Sequence, residues 1–234
     1  MAPHPLSDQP TAAGRLLHLL QQTIPPIHPD GRPFIATGLA LAGLGLRTPW
    51  LRRLGLGVAL ATAAFFRMPR RVTPTDPSLI ISAADGQVSL IDEAVPPAEL
   101  EWTDQPRPRV STFLSLTDVH VQRSPVSGTV IRRAYAPGHY LSADRAEASQ
   151  VNERNGLVVK TADGDEIGVV QIAGLIARRI VCQVDEGDAV TAGQTYGLIR
   201  FGSRVDLYLP PGAQPQVAVG QRLVGGETVV AKLP

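Results

Sequence analysis

The chain is poor in several things at once. Among 234 residues there are one cysteine, two lysines and 5% aromatic residues, and 22 Lys plus Arg stand against 21 Asp plus Glu. The lone cysteine, Cys182, can neither close an internal disulfide nor complete a multi-cysteine zinc site, and its setting in Arg179-Ile180-Val181-Cys182 reads as plain packing. A net charge of +1 gives no basic field for a phosphate backbone, and few aromatic rings leave few platforms for bases, so nucleic acid is excluded as a partner. The basic residues comprise 20 arginines but only Lys160 and Lys232, so chemistry that needs a lysine amine has two candidates. GxGxxG, Walker A, HExxH, CxxC and GxSxG are all missing, and no metal site is expected.

What is present divides into three textures. The length suits one full domain with an appendage. Residues 1–33 are rich in Pro, Gln and His and read as a flexible head, with a short helix over Arg15–Gln22. Two apolar runs follow, Phe34–Leu46 and Leu54–Phe66, split by an arginine-bearing connector that holds Trp50. Each run has 13 residues, about 20 Å as a helix and short of the ~30 Å hydrocarbon layer. Arginines at Arg32, in the connector and at Arg67, Arg70 and Arg71 would put positive charge on both sides of a two-span hairpin, against the positive-inside rule. Residues 34–71 therefore read as a re-entrant or interfacial membrane hairpin, the alternative being a buried helical pair. No cleavable signal peptide is expected, because the first apolar run starts late and has no basic leader near Met1.

From Val72 to the end, residues 72–234 show short β-branched runs punctuated by Gly, Pro and Asp. They predict strands at Leu79–Ser82, Gln87–Ile91, Val110–Leu116, Thr129–Ile131, Leu157–Thr161, Ile167–Ile172, Ile180–Val184, Thr195–Arg200 and Val205–Leu209. Only Ser142–Arg154 reads as helical there. The fold class is mainly β, a hairpin-rich β domain preceded by the α-helical hairpin. An internal echo runs through it. Val184, Gly187, Val190 and Gly193 recur in spacing as Val217, Gly220, Leu223 and Gly226, with a looser copy from Ser127 to Leu141. This resembles the β-hammerhead of lipoyl and biotinyl carrier domains. Carrier chemistry needs a lysine at a hairpin tip between the echoes, where neither Lys160 nor Lys232 lies.

Few residues offer chemistry. His4, His18 and His28 lie in the head, and His139 follows Pro137-Gly138 and reads as a solvated turn residue. His120 shares six residues with Asp118 and Arg123, an imidazole between an acid and a fixed cation. Asp85-Gly86 and Gly202-Ser203, taken singly, are ordinary turn dipeptides.

Taken together they are not ordinary. S-x-A-D-G-x-V at Ser82–Val88, F-L-S-L-x-D-V-H-V-x-R-x-P-V-S-G at Phe113–Gly128, the run Gln171–Val181 and F-G-S-R-V-D-L-Y-L-P at Phe201–Pro210 occur in order, with Asn152-Glu153-Arg154-Asn155 between them. In these motifs the chain resembles the short, bacterial and archaeal type of phosphatidylserine decarboxylase, from about Phe65 to Pro210, and its apolar head is similar too.

The resemblance implies a proenzyme that cleaves itself between Gly202 and Ser203 into a β chain of residues 1–202 and an α chain of residues 203–234, which stay associated. Ser203 would attack the Gly202 carbonyl, and elimination and hydrolysis would leave a pyruvoyl cofactor in place of Ser203. His120, oriented by Asp85, would be the catalytic base. The pyruvoyl carbonyl would join the amine of membrane phosphatidylserine and take up the electron pair left as carbon dioxide departs, giving phosphatidylethanolamine. A carbonyl made from the protein suits a chain so short of lysines, since a pyridoxal phosphate enzyme needs one. Arg123 stands where some relatives have a second histidine, and Arg123 and Arg204 are candidates for holding the substrate phosphate or carboxylate. Met68, in Phe66-Arg67-Met68-Pro69, departs from the family's usual acid at that position. The expected location is the cytoplasmic face of the cell membrane, peripheral or monotopic, with a homo-oligomer open. Alternatives are a pyruvoyl enzyme acting on a related lipid such as archaetidylserine, and a non-enzymatic hammerhead module tethered to a membrane.

Overall fold

The computed structural model describes residues 24–142, 148–175, 177, 179–200 and 202–234; the helix expected over Arg15–Gln22 lies outside them. The chain separates between Arg70 and Arg71 into two compact units.

In the first unit a 3-10 turn at Pro29–Gly31 leads into helix α1 (Arg32–Leu44), and a short turn leads to α2 (Pro49–Phe65). Each helix carries a proline in its first turn, where the missing N–H would have no partner and the fixed φ suits the helix. Pro49 therefore starts α2 earlier than the apolar run begins and draws Trp50, Arg52 and Arg53 of the expected connector into the helix. The helices meet through small residues. A Cβ on Gly55 would lie 2.3 Å from the Ala42 nitrogen and one on Gly38 2.7 Å from the Ala59 nitrogen, so the two backbones touch. The bulky side chains turn outward, with Leu44, Leu46, Trp50 and Leu60 all more than 60% exposed. Small residues between helices and large apolar ones outside is the packing seen where the surroundings are apolar. No described helix is long and apolar enough to cross a membrane.

The second unit is built from antiparallel strands. Eight of them form one sheet in the order β12 (Arg222–Leu223), β2 (Gly86–Ala94), β3 (Arg107–Leu114), β11 (Ser203–Tyr208), β7 (Glu166–Ala173), β6 (Arg154–Lys160), β5 (Gly128–Ala136), β9 (Ala189–Val190). A three-stranded sheet runs β4 (Val121–Arg123), β10 (Thr195–Ile199), β8 (Ile180–Cys182), and β1 (Leu79–Ile81) pairs with β13 (Val229–Lys232). The nine strands predicted from β-branched alternation are all present with shifted ends, while the short strands β4, β9, β12 and β13 were not anticipated. Among the described residues of the helix expected over Ser142–Arg154, only Ala148–Val151 (α3) is helical, and Arg154 already opens β6. The reason is Asn152, whose side-chain amide donates to the carbonyls of Leu141 and Ala173 at 2.8 Å each and draws the backbone toward the sheet.

The echo is a structural repeat, and its two copies form the two edges of the large sheet. Gly187 and Gly220 donate to Val130 and Val88, and these valines donate in return to Asp188 and Gln221, all at 2.8–2.9 Å. Val190 and Leu223 enter the same core. The four echo glycines have φ between +79° and +91°, the left-handed region that favours glycine. The repeat also takes in the partner strands, since Ser82-x-x-Asp85-Gly86-x-Val88 matches Ser124-x-x-Ser127-Gly128-x-Val130 in position, and Ser82 and Ser124 both donate to the carbonyl two residues on at 2.7 Å.

Strand β11 is central and buried on both faces. Alternation sends Val205 and Leu207 into the main core and Arg204, Asp206 and Tyr208 to the other face, beside Val170 and Ile172. Arg204 and Asp206 are each 1% exposed and meet at 2.6 Å; Arg204 also donates to the Ser111 hydroxyl at 2.8 Å, and Asp206 accepts from Ser149 at 3.0 Å. Removing one member strands a buried charge, so Asp206→Ala is expected to destabilise the protein by about 3–5 kcal/mol. Asp185→Ala, which breaks an exposed pair with Arg133, should shift a urea unfolding curve little.

Candidate active site

Ser203 opens β11 opposite Leu114 of β3 and Ala173 of β7. Opposed residues share a face, so its side chain enters the main core between those two apolar neighbours. The residue is fully buried and its hydroxyl makes no hydrogen bond. Leaving a buried hydroxyl unpaired costs about 1–3 kcal/mol, which calls for a chemical reason. Gly202 before it has φ +70°, so the bend that presents Ser203 favours glycine on conformational grounds as well as for access.

The Gly202 residue is gripped at both polar atoms. Its carbonyl accepts the Gly174 N–H at 3.1 Å, and its own N–H donates to His120 Nε2 at 3.2 Å. His120 is 1% exposed, and its Nδ1 lies 2.9 Å from the main-chain carbonyl of Asp118. A nitrogen that faces a carbonyl must carry the proton, and one that accepts an N–H must carry the lone pair, so these partners select the neutral Nδ1–H tautomer.

That carbonyl is fixed by a tight turn. The Asp118 N–H donates to the Ser115 carbonyl at 2.9 Å, and the Asp118 carboxylate accepts the Ser115 N–H and hydroxyl at 2.8 Å each and pairs with Arg222. Burial acts to raise the Asp118 carboxyl, but the Ser115 bonds and Arg222 outweigh it and hold it below the ordinary carboxylate value.

The expected orienter, Asp85, is elsewhere. β3 separates β2 from β11, so strand spacing alone puts Asp85 roughly 10 Å from Ser203. Its carboxylate meets Arg71 at 2.6 Å and accepts the Gly225 N–H. In the other half of the repeat Ser127 occupies the same position and accepts the equivalent Ala192 N–H at 2.9 Å. Asp85 thus stands at the turn position of the repeat with its second carboxylate oxygen buried and without a hydrogen bond, and the group that His120 Nδ1 meets is the Asp118 carbonyl. Burial raises the Asp85 carboxyl, against the opposing pull of Arg71.

Arg123 sits beside Asp85 and Arg71 and donates to the Gly193 carbonyl at 2.7 Å. Arg204, expected to face solvent or substrate, is held by Asp206 and Ser111 on the opposite face of the sheet from Ser203 and is corrected to a structural residue. His139 is exposed as expected, but it is paired in a parallel bridge with Asn152 rather than set in a turn, and Cys182 is half-buried with its thiol directed at the Val184 carbonyl. A polar cavity of about 640 Å³, lined by Asp92, Glu99, Arg109, Arg154 and Tyr208 among others, includes neither Ser203 nor His120.

Two main-chain contacts escaped the sequence reading, although it named Asp118 for its acid and quoted the run that holds Gly174. Gly174 and Asp118 both act through main-chain atoms, which any residue possesses. Only their closeness to the Gln171–Val181 run and to His120 pointed to them.

Comparison with known proteins identifies the family. Residues 58–231 match the model of the phosphatidylserine decarboxylase family. The chain is 55% identical to a protein of Rhodococcus erythropolis named phosphatidylserine decarboxylase proenzyme, over 98% of this chain and 97% of that one. It is 56% identical to proteins of the same name from Mycobacterium ulcerans, over 97% and 95% of the two chains, and from Mycobacterium tuberculosis, over 99% of each. The chain belongs to the phosphatidylserine decarboxylase family, and it is an enzyme rather than a carrier or adaptor module of hammerhead fold.

Proposed function

We propose that the chain cleaves itself at Gly202-Ser203 and then converts phosphatidylserine to phosphatidylethanolamine at a membrane surface. The observation that carries this reading is the buried, unpartnered Ser203 hydroxyl beside the clasped Gly202.

Attack by Ser203 Oγ on the Gly202 carbonyl carbon moves negative charge onto the oxygen that already faces the Gly174 N–H, so that donor stabilises the oxyanion without rearrangement. His120 Nε2, whose lone pair here accepts the Gly202 N–H, would exchange that bond for the hydroxyl proton and return the proton to the Ser203 nitrogen as the amide bond breaks. The ester so formed loses its Cα proton, Gly202 departs as a carboxylate, and water converts the remaining dehydroalanine to pyruvoyl and ammonia. The residues present fit this group, since position 203 would lose only its nitrogen while Arg204–Tyr208 keep their ladder pairing to β3 and β7 and hold it in the apolar slot. A pyruvoyl group there supplies a carbonyl that joins a primary amine and takes up an electron pair when carbon dioxide leaves.

The chain's residues do the rest. His120 holds the proton that must be delivered to the carbon. Arg123, next to Arg71, offers a cation for the phosphate or carboxylate of the headgroup. Leu116 and Leu175, close in sequence and space to the Gly202 clasp, are exposed and suit approach from a lipid surface. The helical hairpin, with outward leucines and arginines at its connector and ends, serves as an interfacial anchor on an anionic, cytoplasmic leaflet. After the cut, residues 203–234 keep β11, β12 and β13 paired with β3, β7, β2 and β1, so the α and β chains stay together.

Intact mass spectrometry is expected to find residues 1–202 and a fragment from residue 203 that begins with pyruvoyl, the two co-eluting under native conditions. An uncleaved wild-type chain would sink the proposal. Ser203→Ala should remain one chain without decarboxylase activity, and His120→Ala should slow cleavage by about 10²–10⁴-fold.

The Asp118 turn gives a pH test. Its folded pKa lies below the unfolded one, so its stabilisation is full above the ordinary carboxylate range and is lost as pH falls through the folded value. In the uncleavable Ser203→Ala chain, adding Asp118→Ala is expected to cost about 1–2 kcal/mol near neutral pH. The melting-temperature gap between the two chains should close on acidification; a gap independent of pH would contradict the charged turn.

A further inference from the structure

Behind His120 lies a row of buried side-chain amides that the proposed chemistry does not use. Asn155 of β6 donates to Gln171 Oε1 at 3.0 Å, Gln171 of β7 donates to Gln122 Oε1 at 2.9 Å, and Gln122 of β4 donates to the main-chain carbonyl of His120 at 2.9 Å. All three amide residues are 0–2% exposed. The direction of the chain of bonds is dictated by its end. A carbonyl can only accept, so Gln122 must turn its nitrogen to His120 and its oxygen to Gln171, and the same choice passes on to Asn155.

The row joins two sheets. Asn155 and Gln171 are opposed in the eight-stranded sheet, where Gln171 also stands opposite Val205, two residues after Ser203. Gln122 belongs to the three-stranded sheet, and His120 directly precedes that strand. The nucleophile thus rides on one sheet and the base on the other. Gly197 of β10 lies beside the row, where a Cβ would lie 2.2 Å from the Val181 carbonyl oxygen and 3.1 Å from Gln171 Nε2. Three amides in an apolar core are costly unless every bond is made, and apolar side chains of similar volume would pack there without that risk.

We propose that Gln122 and Gln171, braced by Asn155, are positioning residues that hold His120 in register with Gly202-Ser203 by tying the two sheets together. This rests on the self-processing reading above.

The test is a time course of self-cleavage of the full chain made by cell-free synthesis, followed on denaturing gels across pH. Gln122→Met and Gln171→Met are expected to cleave about 10- to 100-fold more slowly than wild type, the loss that follows a displacement of about 1 Å in a catalytic group. Gln122→Glu carries the signature that mere packing would not. Its carboxyl can donate to the His120 carbonyl only while protonated, and burial keeps it protonated to higher pH than usual. Its cleavage rate should therefore fall on the alkaline side, where the wild-type rate holds as His120 stays neutral. Met variants that cleave at the wild-type rate, or a Gln122→Glu profile parallel to wild type, would overturn the positioning role. If the Met variants do not fold, the Gln122→Glu profile decides alone. A wild-type chain that never cleaves would overturn the self-processing reading and this role with it, an outcome distinct from a cleaving wild type beside equally fast variants.

Discussion

Everything at the candidate centre depends on Ser203 being the first residue of a strand paired on both sides. Ladder bonds to β3 and β7 fix its backbone, and the alternation of the strand then leaves its hydroxyl only one place to go, the apolar slot between Leu114 and Ala173. The residue before it lies outside the ladder and is free to bend. That boundary, rigid from 203 onward and left-handed at 202, aims the hydroxyl and exposes the preceding carbonyl to a separate set of donors. A serine one position further into β11 would share the rigidity but not the bend, and would point to the opposite face.

The same strand explains why a cut at its start is compatible with a folded product. On the face away from Ser203, Arg204 and Asp206 form a fully buried pair that reaches Ser111 on one neighbouring strand and Ser149 beyond the sheet. Such a pair adds little net stability compared with apolar residues, but it is very sensitive to loss of a partner. It therefore acts as a register pin, because sliding β11 by one residue would move both charges into the apolar face.

The parts of this arrangement legible in the sequence were those with a side-chain signature. Strand positions followed from β-branched alternation, and Ser203, Gly202 and His120 stood out because their motifs are specific. What was hidden acts through the backbone. A main-chain carbonyl at Asp118 holds the imidazole, where a carboxylate at Asp85 was expected, and a main-chain N–H at Gly174 meets the Gly202 oxygen. Asp85 misled for a reason the sequence does contain. The echo of Val184–Gln194 in Val217–Glu227 extends to Ser82–Val88 and Ser124–Val130, and once those are aligned Asp85 is the counterpart of Ser127, a turn residue in each half. Arg204 misled because an arginine is normally solvated, although an aspartate two residues on, on the same face of a strand, was available to pair with it. Of the helix expected over Ser142–Arg154, the described residues keep only Ala148–Val151, and Asn152 ends it by bonding across to Leu141 and Ala173 rather than along its own segment.

The repeat also accounts for the division of labour within the site. Each half closes one edge of the large sheet in the same way, so the halves are interchangeable for folding but not for chemistry. In one half the turn position carries Ser127, a neutral acceptor that needs no counterion. In the other it carries Asp85, whose buried charge draws in Arg71 and lies in the field of Arg123. Two guanidinium groups, Arg71 and Arg123, lie in the field of two carboxylates, Asp85 and Glu227, at the end of the sheet where β11 begins, while the equivalent turn position in the other half carries the neutral Ser127. A serine at one copy of the duplicated turn and an aspartate at the other thus give two backbones that close alike a different electrostatic setting, one neutral and one built on buried charges.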